Sequence, residues 1–409
     1  MVGREVELTV DRVAHGGITV GRLDGRVVFV SDAIPGERVV ARVSDDRKKS
    51  FWRADAVRVL EPSEHRREHV WSAASIDREP RQRAGGAEFG HIALAHQREL
   101  KRQVVLESLQ RFAHLDESAL PGGAGALAVE ALPGDDAANG LGWRTRVRWH
   151  VDTEGRLGPM ASRSHTVIPV TDAPLATSAV HAATPFAERF TGAQAVEVLA
   201  PSVGEPRLVV DEQAPSVIRE RVGERVFQLD DIGFWQVHHA AAGALTAAVQ
   251  NAIDESLFDP RADNLDLYGG VGLLAAAVAD RFGDTTRITS VESDARATDH
   301  ASENLAEWLG AGAETGRVDR WLRDRVGANA SLRGATVVLD PPRSGAGVEV
   351  MASLTSLSPA QIVYVACDPV ALARDVALAA EAGYSLQSLR AFDLFPHTHH
   401  VEAVATLVR

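Results

Sequence analysis

The stretch NLDLYGGVG, residues 264–272, reads as an apolar strand that runs into a glycine-rich turn, and LLAAAVADRF (273–282) follows as a helix. Outward from it the same alternation continues. ITSVESD (288–294) is a strand and ARATDHASENLAEWLG (295–310) a helix, while ATVVLDPPRSG (335–345), QIVYVACDP (361–369) and AVATLVR (403–409) supply later strands. Alternating strand and helix predicts an α/β, Rossmann-like domain over residues 256–409, with ligands at the carboxyl ends of its strands.

Toward the N-terminus the pattern changes. Residues 4–60 hold five short β-branched segments, EVELTVDRV, HGGITVGRL, DGRVVFV, GERVVARVSD and SFWRADAVRVL, punctuated by Gly16, Gly17, Gly25 and Gly36. Five short strands in so few residues predict a small OB-like β-barrel over 1–60, either RNA-binding or without a ligand. Residues 61–98 are polar and irregular. A helix is predicted from about Gln97 to Phe112, with Val105, Leu109 and Phe112 on one face. Residues 120–140 read as a loop, and WRTRVRWHVD and GRLGPMASRSHTVIPV as strands. These make a β-rich central α+β domain over 61–255. Arg144, Arg146 and Arg148 alternate along its first strand, and so would share a face. That face is either solvated or contacts phosphate.

The chain of 409 residues carries a formal charge of −13, unevenly spread. Residues 256–409 contain 13 arginines, no lysine and 20 acids, whereas residues 1–60 have 11 basic against 9 acidic residues. Contact with nucleic acid is therefore expected from the first two thirds of the chain. No run of apolar residues is long enough for a membrane span, and the charged start MVGREVELTV does not suit a signal peptide, so a cytoplasmic protein is expected. The single cysteine, Cys367, excludes internal disulfides and a thiolate metal cage, and no metal is expected.

Four places carry chemistry. Gly270 and Gly272 let the backbone approach a ligand closely, and Glu292, ending the next strand, suits ribose hydroxyls. The turn lacks the Lys and Ser/Thr of a phosphate-binding loop and the full G-x-G-x-x-G spacing, which favours S-adenosylmethionine over ATP or a dinucleotide. Asp340-Pro-Pro-Arg343 ends a strand with a carboxylate and a stiffened lip at the crevice. Cys367 closes an apolar strand beside that crevice. A lone cysteine is most often inert core, but here a following helix N-terminus would favour the thiolate. Glu402, before the last strand, is either a surface residue or a general base beside the cysteine.

With FWQV, DLYGGVG, VESD, LDPPRSG, YVACDPVALARD and FPHTHHVEAVATL in that order, the chain resembles the bacterial RNA uridine-C5 methyltransferases, which make 5-methyluridine in transfer and ribosomal RNA. The resemblance spans nearly the whole chain. It implies a class I methyltransferase domain, with a TRAM-type RNA-binding barrel at 1–60 and an RNA-binding central domain. It also implies S-adenosylmethionine as cofactor, Cys367 as nucleophile and Glu402 as base. Gln236, Tyr268, Glu292, Asp319 and Asp340 match cofactor-site positions. Phe234 or Trp235, near Gln236, is either core or the surface on which a base taken out of its stack would rest.

Many relatives of this kind hold a four-cysteine iron–sulfur cluster, but Ala84 and Ala87 stand where two cysteines would fall, so no cluster is expected. Gly269 replaces a cysteine or alanine, an exchange expected to be harmless. Asp368 replaces an asparagine and is expected to raise the thiol's pKa. A monomer acting on RNA is expected, ribosomal RNA before transfer RNA. The rival readings are a methyltransferase for another base and a catalytically idle RNA-binding assembly factor.

Overall fold

The computed structural model describes residues 2–162, 164–211 and 213–409. Strands β1 (Glu5–Ala14), β2 (Ile18–Leu23), β3 (Arg26–Ser31), β4 (Arg38–Asp45) and β5 (Phe51–Glu61) close a barrel in the order β1-β2-β3-β5-β4. Alternation in sequence becomes alternation in burial. Val6, Leu8 and Val10 of β1 point inward, to meet Val28 and Val30 of β3, Val39 and Val43 of β4 and Trp52 of β5.

Helix α1 (Leu94–Ser108) starts three residues earlier than expected and continues as a wider helical turn over Leu109–Ala113. The expected face is there: Val105 and Leu109 are buried. The loop at 120–140 contains a short strand, β6 (Val129–Ala131). The central region then forms a four-stranded sheet from β7 (Arg146–Val151), β8 (Leu157–Gly158), β9 (Ala195–Leu199) and β10 (Arg207–Val210), in the order β10-β9-β7-β8. A short helix, α2 (Ser178–Ala183), precedes β9, and a hairpin of β11 (Val217–Val222) and β12 (Arg225–Asp230) follows β10. The long strand expected from GRLGPMASRSHTVIPV shrinks to β8, because the backbone of Ile168 closes on Gly158: a Cβ there would lie 1.9 Å from the Ile168 carbonyl oxygen. Part of that expectation, Arg163, lies outside the described residues.

The catalytic sheet uses β13 (Asn264–Leu267), β14 (Ile288–Glu292), β15 (Ala311–Thr315), β16 (Thr336–Leu339), β17 (Gln361–Ala366), β18 (Ser385–Asp393) and β19 (Glu402–Val408). Its order is β15-β14-β13-β16-β17-β19-β18-β6. The first five are parallel, and β19 runs antiparallel between β17 and β18. The helices α3 (Ala241–Ala252), α4 (Leu273–Phe282), α5 (Ala295–Asn304), α6 (Val318–Gly327), α7 (Gly347–Ser356) and α8 (Pro369–Glu381) complete the layers. Strands β13, β16 and β17 are buried along their whole length, as expected of parallel strands covered on both faces.

Two features cross the expected boundary at residue 255. Ala241, Leu245 and Val249 of α3 share one core with Leu274 and Val278 of α4, so α3 belongs to the catalytic layer. Strand β6 pairs with β18, Val129 beside Ala391, and extends the catalytic sheet from within the central region. No helix among the described residues is long and apolar enough to cross a membrane.

Candidate active site

The glycine-rich turn leaves β13 through Tyr268, whose φ of 62° is unusual for a side-chain-bearing residue, and through Gly270 and Gly272 at φ 54° and 87°. Glu292, at the end of β14, is fixed by this turn. One carboxylate oxygen accepts from the Gly270 N–H (3.1 Å), and the other accepts from the N–H groups of Ser293 (2.6 Å) and Asp294 (2.9 Å). The glycine at 269 fits its surroundings, and a side chain would not. A Cβ there would sit 1.9 Å from Ser290 Oγ and 2.8 Å from Asp266 Oδ2, because Ser290 fills that volume.

Beside this turn lies a cavity of about 450 Å³, lined by Tyr268, Ser293, Asp319, Pro342, Ser344 and Glu349 among others. Tyr268 and Asp319 thus meet across one space. Glu292 stands behind Ser293 at its edge, and Gln236, half-buried between β12 and α3, lines neither this cavity nor the second one described below. The Pro342–Ala346 lip is tied to α8: Asp375 accepts from the N–H groups of Ala346 (2.7 Å) and Gly347 (3.1 Å) and from the Tyr364 hydroxyl (2.5 Å). Hydroxyls, carboxylates and a left-handed glycine turn at the strands' carboxyl ends suit an adenosine nucleoside with an amino-acid tail, and fit S-adenosylmethionine. Asp266, under the turn, accepts from the Ala275 N–H (3.0 Å), has one oxygen without a partner, and burial pushes its pKa up to about 7.

The second cavity, about 230 Å³, lies where barrel, central region and catalytic sheet meet. His15, Gly17, Lys101, Arg343, Cys367 and His399 are among its walls. Cys367 is half-buried just beyond β17, and Glu402 is buried at the start of β19. Register pairs Ala366 with Ala403, so the two candidates stand at neighbouring strand ends. Burial pushes the thiol up to about 12, with the Glu402 and Asp340 carboxylates adding to the shift and the Arg343 guanidinium opposing it. Burial also raises Glu402 well above the usual carboxylate range, again with Asp340 adding and Arg343 opposing, and it lifts Asp340 to about 7.

Two expectations about the thiol change. Asp368 is not what raises it. Its carboxylate caps α8, accepting from the Val370 (3.0 Å) and Ala371 (2.9 Å) N–H groups, and its other oxygen meets His15 Nε2 at 2.7 Å. The same cap occupies the helix N–H groups that were expected to favour a thiolate.

The arginine face also differs from expectation. Only Arg146 and Arg148 lie within β7. Arg146 is committed to the protein, donating to the carbonyls of Asp231 (2.6 Å) and Gly233 and pairing with Glu197 (3.2 Å). It therefore braces the turn that presents Phe234, which is 74% exposed. Arg144 donates to the Arg146 carbonyl (3.0 Å) and lies over Trp143, which leaves Arg148 as the exposed member. Ala84 and Ala87 are buried in the core around Trp71 and Trp143, and the chain's only thiol is Cys367 in another domain, so this donor set does not fit an iron–sulfur cluster.

Sequence reasoning did not assign Arg343, although the quoted DPPR motif contained it, nor His15, whose partner is 353 residues away.

Comparison with known proteins agrees with this architecture. Residues 1–57 match the TRAM domain, and residues 316–409 match the tRNA (Uracil-5-)-methyltransferase family. An RNA methyltransferase of Streptomyces avermitilis is 36% identical, covering 99% of this chain and 98% of its own length. One from Bifidobacterium longum is 35% identical, with 99% and 97% covered. The chain belongs to the RNA uracil-C5 methyltransferase family. The methyltransferase uses S-adenosylmethionine as its methyl donor. Its fold is shared with the crystal structure of Pyrococcus abyssi tRNA (uracil-54, C5)-methyltransferase in complex with S-adenosyl-L-homocysteine, at TM-score 0.70 and 21% identity over 98% of this chain and 99% of that one.

Proposed function

We propose that this methyltransferase modifies C5 of a uridine, in ribosomal RNA in preference to transfer RNA, through a covalent bond between Cys367 and the base. The observation that carries this reading is the pairing of Cys367 and Glu402 at adjacent strand ends, with Arg343 acting on both. Uracil C5 is a poor nucleophile. Addition of the Cys367 sulfur to C6 moves the C5=C6 electron pair toward the C4 carbonyl and makes C5 nucleophilic. C5 takes the electrophilic methyl group that S-adenosylmethionine would supply, with S-adenosylhomocysteine leaving; Tyr268, Gly270, Gly272, Glu292, Asp319 and Asp340 would hold the cofactor, and Gln236 is assigned to it by the family resemblance alone. Glu402 then takes the C5 proton, C5=C6 re-forms, and the C6–S bond breaks to release Cys367.

Before sulfur can add, Cys367 must lose its proton to solvent, and its raised pKa makes that the demanding step in the ligand-free site. Arg343 is the cation that eases it, and the same charge favours an ionised Glu402. Phe234, exposed beyond the turn braced by Arg146, is the surface on which an unstacked base would rest, with Arg148 and the barrel meeting phosphates. A monomer acting on RNA in the cytoplasm completes the proposed reading.

The test is direct. Purified enzyme, methyl-labelled cofactor and separated ribosomal and transfer RNA are incubated, and nucleosides are identified by mass spectrometry. Label in 5-methyluridine from ribosomal RNA supports the reading. Label confined to transfer RNA overturns the preferred substrate, and label on another base overturns the reaction.

A further inference from the structure

The barrel is built into the nucleophile's cavity. Its β1–β2 turn contributes His15, Gly16 and Gly17 to the walls around Cys367. Gly17 is pressed so closely against its neighbours that a Cβ would lie 2.5 Å from His399 Cβ of the catalytic domain and 3.1 Å from Phe89 of the central region. Val13 and Ile34 of the barrel share a buried cluster with Phe89, Ile92 and Leu100, and Arg12 pairs with Glu107 of α1 at 2.7 Å. The turn is thereby held against the site from three sides. At its tip, the His15 Nε2–H donates to Asp368 Oδ2, the residue directly after the nucleophile.

Asp368 divides its two oxygens between two tasks. Oδ1 caps α8, and Oδ2 is taken by His15. A capping carboxylate alone leaves the cap residue's side chain one anchored oxygen. The second contact fixes the carboxylate plane from outside the catalytic domain.

We propose that His15 is a positioning residue for Cys367: by holding Asp368 it sets the backbone of the nucleophile's loop, and it makes the barrel a wall of the target-base pocket as well as an RNA anchor. This rests on Cys367 being the nucleophile. His15 touches no reacting atom, so its effect falls on the reaction step more than on RNA affinity.

The full-length protein carries the test. His15→Ala, His15→Asn (which keeps an N–H donor), Asp368→Ser (which keeps a cap oxygen but lacks the second one) and the His15→Ala/Asp368→Ser double variant are compared. Single-turnover methyl transfer at saturating RNA and cofactor is measured beside RNA affinity. His15→Ala should slow the single-turnover rate about tenfold or more, as small displacements of reacting groups do. RNA affinity should fall far less than the rate, His15→Asn should recover most of the rate, and the double variant should be no slower than Asp368→Ser. An unchanged rate in His15→Ala, a loss confined to RNA affinity, or multiplicative losses in the double variant would each overturn the proposal. Cys367→Ala, run alongside, keeps the two claims apart: activity there sinks the nucleophile assignment itself, whereas its inactivity beside a fully active His15→Ala sinks only the positioning role.

Discussion

Cys367 and Glu402 stand one residue beyond the Ala366–Ala403 pair, at the ends of two antiparallel strands that the chain reaches 35 residues apart. The Glu402 carboxylate disfavours the thiolate, and burial disfavours both charges. Buried titratable groups with shifted pKa values beside a cavity mark a candidate site for proton and sulfur chemistry.

The thiol's reactivity should reveal this. Because Cys367 is the chain's single cysteine, its alkylation by iodoacetamide can be followed in the intact protein. With the thiol pushed up to about 12, the rate should be slow at neutral pH. It should climb about tenfold per pH unit without levelling by about pH 10, since only the thiolate reacts. A rate that levels off by about pH 10, where an ordinary thiol is almost fully ionised, would contradict the electrostatic account.

Stability should also respond to Glu402. Its carboxyl is raised in the native state, so the native protein prefers it protonated. That preference stabilises fully below the unfolded carboxyl's range and is lost as pH rises toward the folded value. Glu402→Gln stays neutral at every pH. Its unfolding midpoint should exceed the parent's at pH 8 by about 2–4 °C, with a smaller difference at pH 5. A lower midpoint at pH 8 would show that the ionised carboxylate is well accommodated.

Much of this site was legible in local sequence. NLDLYGGVG, LDPPRSG and YVACDP each place a strand, its terminal turn and the chemistry at that turn within a few residues, and β13, β16 and β17 form where those stretches predict. The barrel follows from alternation alone. What escaped is non-local. Strand β6 is three residues long and gains its place only by pairing with β18. Helix α3 reads as an alanine-rich helix, but nothing within it says which sheet it covers. Arg146 looks like a free cation until the carbonyls of the 231–233 turn claim it.

The glycine turn offers a further check. Gly269→Ala should weaken S-adenosylmethionine binding, because the new methyl group collides with Ser290 and must displace it or the turn. Removing the obstacle in Gly269→Ala/Ser290→Ala should restore much of the affinity, measured by calorimetry. Normal binding in the single variant would mean that the turn yields at no cost.

Phosphate contact by the barrel is testable at its exposed β4–β5 loop, where Lys48 and Lys49 lie. Reversing both charges to glutamate should lower RNA affinity and make the log–log salt dependence shallower by about 2 if each meets one phosphate. Unchanged affinity and slope would remove this loop from the RNA surface.

The covalent step is tested most directly by Glu402→Gln with methyl-labelled cofactor and substrate RNA, resolved by denaturing electrophoresis. Sulfur addition and methyl transfer precede loss of the C5 proton, so without its base the methylated uridine should remain bonded to Cys367. The account predicts a protein–RNA band that carries the methyl label and disappears when Cys367→Ala is added. An unlabelled band would place Glu402 before methyl transfer, and methylation at the normal rate in Cys367→Ala alone would contradict the covalent mechanism.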